Sequence, residues 1–283
     1  MNRQPMIPIS DEQIAEYRRT GVIMLRQVFD QDWLDLLARG MAYCVANPTW
    51  RMHNYALNEA TGERFFYDAF KIRDVKEFER FGIDSPMAEI AGRMMGAKSA
   101  TAFYHTIFVR SPGCGARTPW HRDQTGWCAN GNGLSIWASI EAVPRSSALE
   151  FIPGSHLWPG NFKRVTFNDN DLGRMRDVPG MEDAKPMPDF FGKDRHKYEI
   201  VGWDMQPGDC LVFHARTMHG GAGNLPPGMG RRTVSTQWLS EESRVVQPPG
   251  GADPDWIEDL AKYGIKIGDH PGSDMCPVVW CAS

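Results

Sequence analysis

Two histidines and one aspartate in this chain are residues of the types that hold a metal ion together. His121 and Asp123 stand two positions apart, and His219 lies far downstream at the start of a His-Gly-Gly run. Two imidazoles and one carboxylate can occupy one face of an octahedral ion and leave three positions open, which is the ligand set of non-haem Fe(II) oxygenases. These residue types therefore predict an iron-dependent oxidation.

The His-x-Asp pair carries little information when it is taken without its surroundings. The chain has 8 His and 35 Asp or Glu in 283 residues. Chance therefore supplies about one His-x-acid triplet in a chain of this composition. If the segment is extended, side chains alternate with a period of two, and a strand would present His121 and Asp123 on the same face. We therefore expect this pair on a strand.

Several ordered motifs accompany these residues. They run from Trp137 to Glu141, Leu149 to His156, Gln206 to His214, His219 to Asn224 and Arg231 to Val234. In this order the motifs resemble the phytanoyl-CoA dioxygenase family, over roughly residues 10 to 240. The resemblance implies an Fe(II)- and 2-oxoglutarate-dependent oxygenase that uses O2 and is built on a double-stranded β-helix.

The resemblance implies that His121, Asp123 and His219 are the iron ligands, and it implies no catalytic group beyond them. Related enzymes that halogenate lack the carboxylate and leave its position to a halide, whereas this chain has Asp123. Hydroxylation, or a related oxidation such as desaturation, epoxidation or ring formation, is therefore favoured over halogenation. The iron and 2-oxoglutarate carry the chemistry, while the protein supplies orientation and electrostatics.

The resemblance assigns the cosubstrate to three further residues. Arg231 would grip the distal carboxylate of 2-oxoglutarate, because a guanidinium is a rigid, permanently charged fork that matches a carboxylate. Thr233 would face the same side of the strand and add a hydroxyl donor, and Trp137 would line the pocket. Arg231 and Arg232 are adjacent, so only one can point inward; the Arg-x-small pattern of the family favours Arg231, with Arg232 as the alternative.

The elements that must position these residues are mostly strands. Near residue 100 the sequence changes to short β-rich runs bounded by Pro and Gly, which is typical of a barrel or jelly roll. The runs are Thr101 to Val109, Leu134 to Ala142, Leu149 to Ile152, Asp209 to Phe213 and Arg232 to Leu239. Before them, a capping box at Ser10 to Gln13 predicts a helix that ends at Gly21. We predict a mainly β fold with flanking helices and a double-stranded β-helix core of the jelly-roll, cupin-like kind.

We predict one oxygenase domain over residues 1–283. Its parts would be a helical scaffold with the first strands in 1–100, the β-helix core in 101–240 and a C-terminal extension in 241–283. Within the core, residues 157–198 show no clear period, and loops of such length are commonly lids or binding loops. We expect this insertion to cover part of the site.

Bulk properties exclude some partners. The net charge is −4 and there is no basic tail or stripe, so nucleic acid is not an expected partner. No apolar run has the length of a membrane span or a signal peptide, which predicts a cytoplasmic protein without membrane contact. We expect a monomer or homodimer that acts on a small or mid-sized organic molecule, because no basic cluster stands out for a nucleotide tail.

A second class of function stays open at this stage. Neutral imidazoles and a carboxylate also suit Zn, Mn or Ni in a cupin-like barrel that binds a metal or a ligand without oxygenase activity. Arg231 separates the two hypotheses, because a simple metal-binding barrel does not need it. No motif identifies the primary substrate.

Overall fold

The computed structural model of this chain describes residues 1–168, 170–223 and 225–282. Asp169, Asn224 at the end of the His219 motif, and Ser283 lie outside the described residues. The helices are α1 Asp11–Thr20, α2 Gln31–Ala46, α3 Lys76–Asp84, α4 Met87–Met95 and α5 Ile257–Ala261. The strands are β1 Val22–Leu25, β2 His53–Leu57, β3 Arg64–Phe70, β4 Ser99–Arg110, β5 Thr118–His121, β6 Gly133–Ser139, β7 Glu150–Phe151, β8 Arg164–Val165, β9 Met175–Arg176, β10 Cys210–His214, β11 His219–Gly221, β12 Arg231–Ser240 and β13 Val278–Cys281.

Two antiparallel sheets form the core. The large sheet has the order β1-β10-β6-β12-β4-β3-β2, with β13 also paired to β4, and the small sheet has the order β5-β11-β7. A large and a small antiparallel sheet of this kind make the double-stranded β-helix that the sequence predicts. The four long runs predicted in the core correspond to β4, β6, β10 and β12. The fold is therefore mainly β, as expected.

The two faces of the large sheet have different surroundings. One face carries apolar side chains such as Ile107, Ile136 and Val212, and these pack in one cluster with α2, α3 and α4. Side chains alternate along a strand, so the neighbouring residues point to the opposite face. That face carries Arg231 and Ser235 of β12, which line a cavity between the sheets. The helices thus support the sheet from outside and leave its inner face for chemistry.

Helix α1 begins and ends as the sequence predicts. Ser10 accepts a hydrogen bond from the backbone N–H of Gln13, and the Gln13 side chain accepts one from the Ser10 N–H. Gly21 follows the helix with φ of 76°, a left-handed conformation that favours glycine. After this turn the chain continues as β1, which pairs with β10 at the edge of the large sheet.

Ser10→Ala should lower the free energy of unfolding by about 1 kcal/mol, because one backbone donor of the first turn loses its acceptor. Urea denaturation monitored by circular dichroism measures this change. The matched control is Glu59→Ala, at an exposed position between β2 and β3, which should leave the midpoint unchanged. Equal effects of the two substitutions would contradict the capping role.

Strands from outside residues 101–240 also join the large sheet. β1, the β2–β3 hairpin and the C-terminal β13 all pair within it. In the small sheet, the 2 residues of β7 lie within the predicted run Leu149 to Ile152, whereas β11, with 3 residues, was not predicted. Runs that short contain too few alternations to distinguish a strand from a loop.

The insertion and the C-terminal extension are both anchored. The insertion packs Phe162 and Phe190 against Trp120 of β5. In the extension, helix α5 follows Trp256, which is fully buried. The Arg164 guanidinium joins the two segments by donating to the carbonyls of Pro249 at 2.9 Å and Gly251 at 2.5 Å. Among the described residues, no helix has the length and apolar character to cross a membrane.

Candidate metal centre

The pairing of two short strands brings the two histidines together. His121 ends β5 and lies directly opposite His219, the first residue of β11. Asp123 does not stand on the strand as expected, because β5 ends at His121 and Asp123 opens a 3₁₀ turn. Arg122 between them is still extended, with φ of −116° and ψ of 128°. The alternation of side chains therefore continues one residue past the strand and returns Asp123 to the side of His121.

The three side chains converge on one point. Asp123 Oδ1 lies 3.2 Å from His121 Nε2 and 3.4 Å from His219 Nε2. The potential ligand atoms of all three residues lie within 4.8 Å of one another. Two imidazole nitrogens and a carboxylate oxygen at this separation can bind a single ion on one face, which leaves its other positions for small ligands.

Backbone carbonyls orient both imidazoles. His121 Nδ1 lies 2.8 Å from the carbonyl oxygen of Pro119, and His219 Nδ1 lies 3.0 Å from that of Thr217. Because a carbonyl only accepts, each Nδ1 carries the proton and each Nε2 presents its lone pair to the centre. The rings of Phe151 and Phe213 pack against His219, with centroids at 5.7 and 4.6 Å. The two carbonyls therefore orient both imidazole Nε2 atoms for binding a metal ion.

The charge state of the cluster also suits a divalent cation. Burial opposes ionisation of Asp123, but His219, His121 and the hydroxyl of Ser135 outweigh it and lower the pKa of Asp123 below its usual value. Burial, followed by the nearby His121, lowers the pKa of His219 to about 4. An ionised carboxylate beside a neutral imidazole is the form that a metal needs, because bound protons would compete with it.

Ser135→Ala should weaken Fe(II) binding by about tenfold to a hundredfold, the usual effect of removing a group that orients a metal ligand. The Ser135 hydroxyl donates to Asp123 Oδ2 at 2.6 Å from the neighbouring strand β6. Anaerobic metal titration measures the change. Ser139→Ala on the same strand is the control, because its hydroxyl is directed to the Arg232 carbonyl at 3.5 Å. Unchanged iron affinity in Ser135→Ala would show that other contacts hold the carboxylate.

Two glycines after His219 permit the close approach of β11 to β5. A Cβ on Gly220 would lie 2.9 Å from the Trp120 ring, and one on Gly223 would lie 2.4 Å from the Ala116 carbonyl oxygen. Gly223 also has φ of 80°, which disfavours other residues. The glycines of this motif are therefore explained by the packing that places His219 beside His121.

The metal-ligand cluster lies in a cavity of about 390 Å³. His121, Asp123 and His219 line it together with Arg231 and Trp137. Aromatic side chains and residues of the insertion and the C-terminal extension complete the lining. A cavity of this size falls in the range of small-molecule sites.

Arg231, and not Arg232, points into the cavity. The Arg231 side chain is buried, donates to the Ser147 carbonyl and places its guanidinium carbon 5.4 Å from the centre of the Trp137 ring. Arg232 turns outward and pairs with Glu141, with an Nε to Oε1 distance of 2.7 Å. This difference follows from the alternation along β12.

The Arg231 charge has no protein counter-ion. Its Nε lacks a hydrogen-bond partner, and within the described parts of the chain neither Arg231 nor the facing Arg110 forms an ion pair. Burial, and next the charge of Arg110, lower the pKa of Arg231 well below its usual value. An unpaired buried cation is unfavourable unless an anion joins it. This end of the cavity is therefore suited to a carboxylate ligand.

Comparison with known proteins decides the family. The sequence model of phytanoyl-CoA dioxygenase matches residues 17–233. The chain belongs to the phytanoyl-CoA dioxygenase family. An ectoine dioxygenase from Sphingopyxis alaskensis is 24% identical over 272 residues, which cover 91% of this chain and 84% of that protein.

Solved structures agree with the fold of this family member. The non-haem alpha-ketoglutarate-dependent carbocyclase SnoK from nogalamycin biosynthesis superposes with a TM-score of 0.73 at 18% identity, covering 99% of this chain and 100% of that one. The epimerase SnoN in complex with Fe3+, alpha-ketoglutarate and nogalamycin RO gives 0.68 at 20% identity, covering 95% and 98%. EctD from S. alaskensis with 2-oxoglutarate and 5-hydroxyectoine gives 0.65 at 20% identity, covering 90% and 84%. At these identities the likeness shows the shared jelly-roll fold.

The family resemblance also assigned Trp137 and Thr233 to the cosubstrate, and only Trp137 lines the cavity. Trp137 lines the cavity beneath Arg231. Thr233 is fully buried on the same face, but its hydroxyl lies 3.5 Å from the Phe108 carbonyl and Thr233 is not part of the lining. Thr106 and Ser235, which lie directly opposite each other on β4 and β12, line this end instead. The alternation of side chains along β4 and β12 could have placed Thr106 and Ser235 on the inner face of the sheet. The sequence did not show that these two strands pair with each other.

Three further lining residues were not singled out from the sequence. Tyr55 and Tyr67 reach the cavity from the β2–β3 hairpin, and Asp253 reaches it from the C-terminal extension. Residues from Phe162 to Asn168 line the same cavity, and the covering of the site by residues 157–198 stays a prediction. Nothing local marks the tyrosines or Asp253, because they are separated widely along the chain.

Proposed function

We propose that this protein is an Fe(II)- and 2-oxoglutarate-dependent dioxygenase that oxidises a small or mid-sized organic molecule. The observation that carries the proposal is one cavity that contains a His-Asp-His cluster together with a buried arginine without a counter-ion. The cluster is suited to iron, and the arginine is suited to the dicarboxylate cosubstrate. A metal-binding barrel without oxygenase activity would not need this second feature.

In this proposal each residue has a stated task. His121, Asp123 and His219 would hold the iron, and Arg231 would hold the distal carboxylate of 2-oxoglutarate above the Trp137 ring. Thr233 stays a sequence-based prediction for a supporting hydroxyl at that end. When bound, iron and 2-oxoglutarate supply the oxidising chemistry with O2 and release succinate and CO2.

The protein contributes geometry and exclusion of water. The Pro119 and Thr217 carbonyls fix the imidazole tautomers, and Ser135 fixes the carboxylate. Holding the ligands in one orientation avoids the reorganisation that free groups would undergo during reaction. Aromatic side chains around the cluster limit water near the reacting atoms, which protects a reactive site from side reactions.

The relatives narrow the substrate to small molecules without identifying it. Their names include an ectoine dioxygenase, a carbocyclase and an epimerase. The fold and cofactors therefore accommodate several oxidative outcomes, and the outcome depends on how substrate lies against the iron. For this chain we propose hydroxylation or a related oxidation.

The remaining sequence-based predictions complete the proposal. We propose one oxygenase domain over residues 1–283, with residues 157–198 as an insertion and 241–283 as a C-terminal extension. We also propose a cytoplasmic monomer or homodimer without a nucleic-acid or membrane partner. Gel filtration with light scattering tests the oligomeric state.

Anaerobic titration of the Fe(II)-loaded protein with 2-oxoglutarate tests the function without knowledge of the substrate. We expect a visible metal-to-ligand charge-transfer band that saturates with 2-oxoglutarate and does not form in His121→Ala. A saturable band would open a substrate screen by succinate release. Bound iron without any band would contradict the oxygenase proposal and favour the metal-binding barrel.

A further inference from the structure

We infer that the aromatic part of this cavity recognises its substrate through a cationic nitrogen, an ammonium or quaternary ammonium group, which contacts aromatic rings and Asp253. This inference rests on the proposed function for the chemistry that follows binding, but the recognition itself requires neither iron nor 2-oxoglutarate. The aromatic subsite is defined here as Tyr55, Tyr67, Tyr104, Phe167 and Asp253.

Aromatic side chains line the aromatic subsite. The Tyr55 and Tyr67 rings are nearly parallel, with centroids 5.7 Å apart and planes at 11°. Phe167 of the insertion lies 5.1 Å from Tyr55 and also contacts His121, with centroids at 4.8 Å. A group bound against these rings therefore lies next to the metal-ligand cluster. Aromatic faces attract cations through the negative charge above the ring.

Asp253 supplies a carboxylate without a protein cation. Its only side-chain hydrogen bond is accepted from the Tyr67 hydroxyl at 3.1 Å, and it forms no ion pair with the described residues. Asp253 is an exposed residue of the cavity lining, and its backbone N–H donates to the Gly126 carbonyl at 2.9 Å. A positioned carboxylate beside aromatic rings is a complementary site for a cation.

The cavity's own cations do not neutralise this carboxylate by a direct bond. Arg164 lies within electrostatic reach of Asp253 but donates to backbone carbonyls of the extension. Arg122 likewise donates to the Ser155 carbonyl at 2.7 Å, and Lys163 pairs with Asp177 at 2.6 Å. Arg176 lies on the exposed strand β9. Among the described residues no cation is bonded to the Asp253 carboxylate, which leaves it accessible to a cationic ligand.

Two tyrosine hydroxyls support the same conclusion. The Tyr55 and Tyr104 hydroxyls form no hydrogen bond with the described residues, although both side chains line the cavity. Burial, and next the charges of Asp253 for Tyr55 and Asp123 for Tyr104, raise the pKa of both hydroxyls well above the usual value. Both therefore stay neutral, and their oxygens can accept hydrogen bonds from an ammonium group.

A matched pair of probes tests the inference. Choline carries a trimethylammonium group, and 3,3-dimethylbutan-1-ol is its neutral carbon isostere. Calorimetry on the full-length protein, under argon, with and without Fe(II) and 2-oxoglutarate, measures both affinities. We expect choline to bind at least about tenfold more tightly than the neutral isostere, the size of a partly desolvated cation–π contact supported by a carboxylate.

Two variants and a control assign the preference to the aromatic subsite. Asp253→Asn keeps the side-chain shape and should abolish the preference for choline, and Tyr55→Leu should reduce choline affinity several-fold. Asp255→Asn changes an exposed carboxylate two positions away that is not part of the lining, and it should leave both affinities unchanged. Equal binding of the two probes, no binding of choline, or a preference that survives Asp253→Asn would each overturn the inference.

The two proposals fail in distinguishable ways. A charge-transfer band without a preference for choline would retain the oxygenase and remove the cationic substrate. A preference for choline without the band would retain the aromatic subsite and remove the oxygenase chemistry.

Discussion

Arg231→Ala should weaken 2-oxoglutarate binding by about a hundredfold or more while Fe(II) affinity stays the same. Removing one partner of a buried charge pair typically costs about 3–5 kcal/mol, and about 1.4 kcal/mol corresponds to a factor of ten in affinity. Arg231 is buried without a protein counter-ion, so a bound carboxylate would be its main charged partner. The three proposed iron ligands lie outside β12 and keep their own contacts, which is why iron binding should survive.

The adjacent arginine is the matched control for this experiment. Arg232 has the same charge and the same strand, but it faces outward and pairs with Glu141. Arg232→Ala should therefore leave the 2-oxoglutarate titration unchanged. Arg231→Lys retains a charge without the fork and should bind 2-oxoglutarate at an intermediate affinity. If Arg232→Ala weakened 2-oxoglutarate binding and Arg231→Ala did not, the assignment of the cosubstrate end would be wrong.

Removing one of the three cluster residues should abolish tight iron binding. We expect His219→Ala and Asp123→Ala to raise the dissociation constant of Fe(II) by more than about a hundredfold, because losing a ligand exceeds the effect of losing a group that only orients one. Both residues contribute an atom to the same small cluster, and His219 faces it from a buried position. No other group of three such residues occurs in the described parts of the chain.

Thermal unfolding provides a second measure of the same loss. A ligand that binds only the folded state stabilises it, by about 2.7 kcal/mol at a concentration one hundred times its dissociation constant. Fe(II) should therefore raise the Tm of the unmodified protein under argon and leave the Tm of His219→Ala unchanged. His196→Ala, at an exposed histidine, is the control and should respond to iron normally. A normal iron response in His219→Ala would exclude His219 as a ligand.

The long strands of the large sheet follow from the sequence. β4, β6, β10 and β12 were predictable because each is long enough to show alternation and is bounded by turn residues. In the small sheet, β7 lies within the predicted run Leu149 to Ile152, but β11 has too few residues for a periodic signal. The prediction that Asp123 lies on a strand was wrong for a related reason. Alternation predicts the side of the chain on which a residue lies, but not the place where the strand ends.

Some residues of the candidate site were predictable from the sequence, and others were not. His121, Asp123, His219 and Arg231 could be singled out from residue type and motif order. Ser135 could not, because its link to Asp123 exists only through the position of β6 beside the metal-ligand turn. A serine in a β-rich run has no local feature that marks it as an orienting group.

By itself, the sequence determined the fold class, the family resemblance and the types of residue available for a metal and a carboxylate. These depend on local alternation and on motif order, both of which are written along the chain. Only the tertiary structure decided that Arg231 faces inward while Arg232 pairs with Glu141. It also decided that Tyr55 and Asp253 share one cavity. Both depend on which strands and loops become neighbours, and that is set by packing between segments that are distant in sequence.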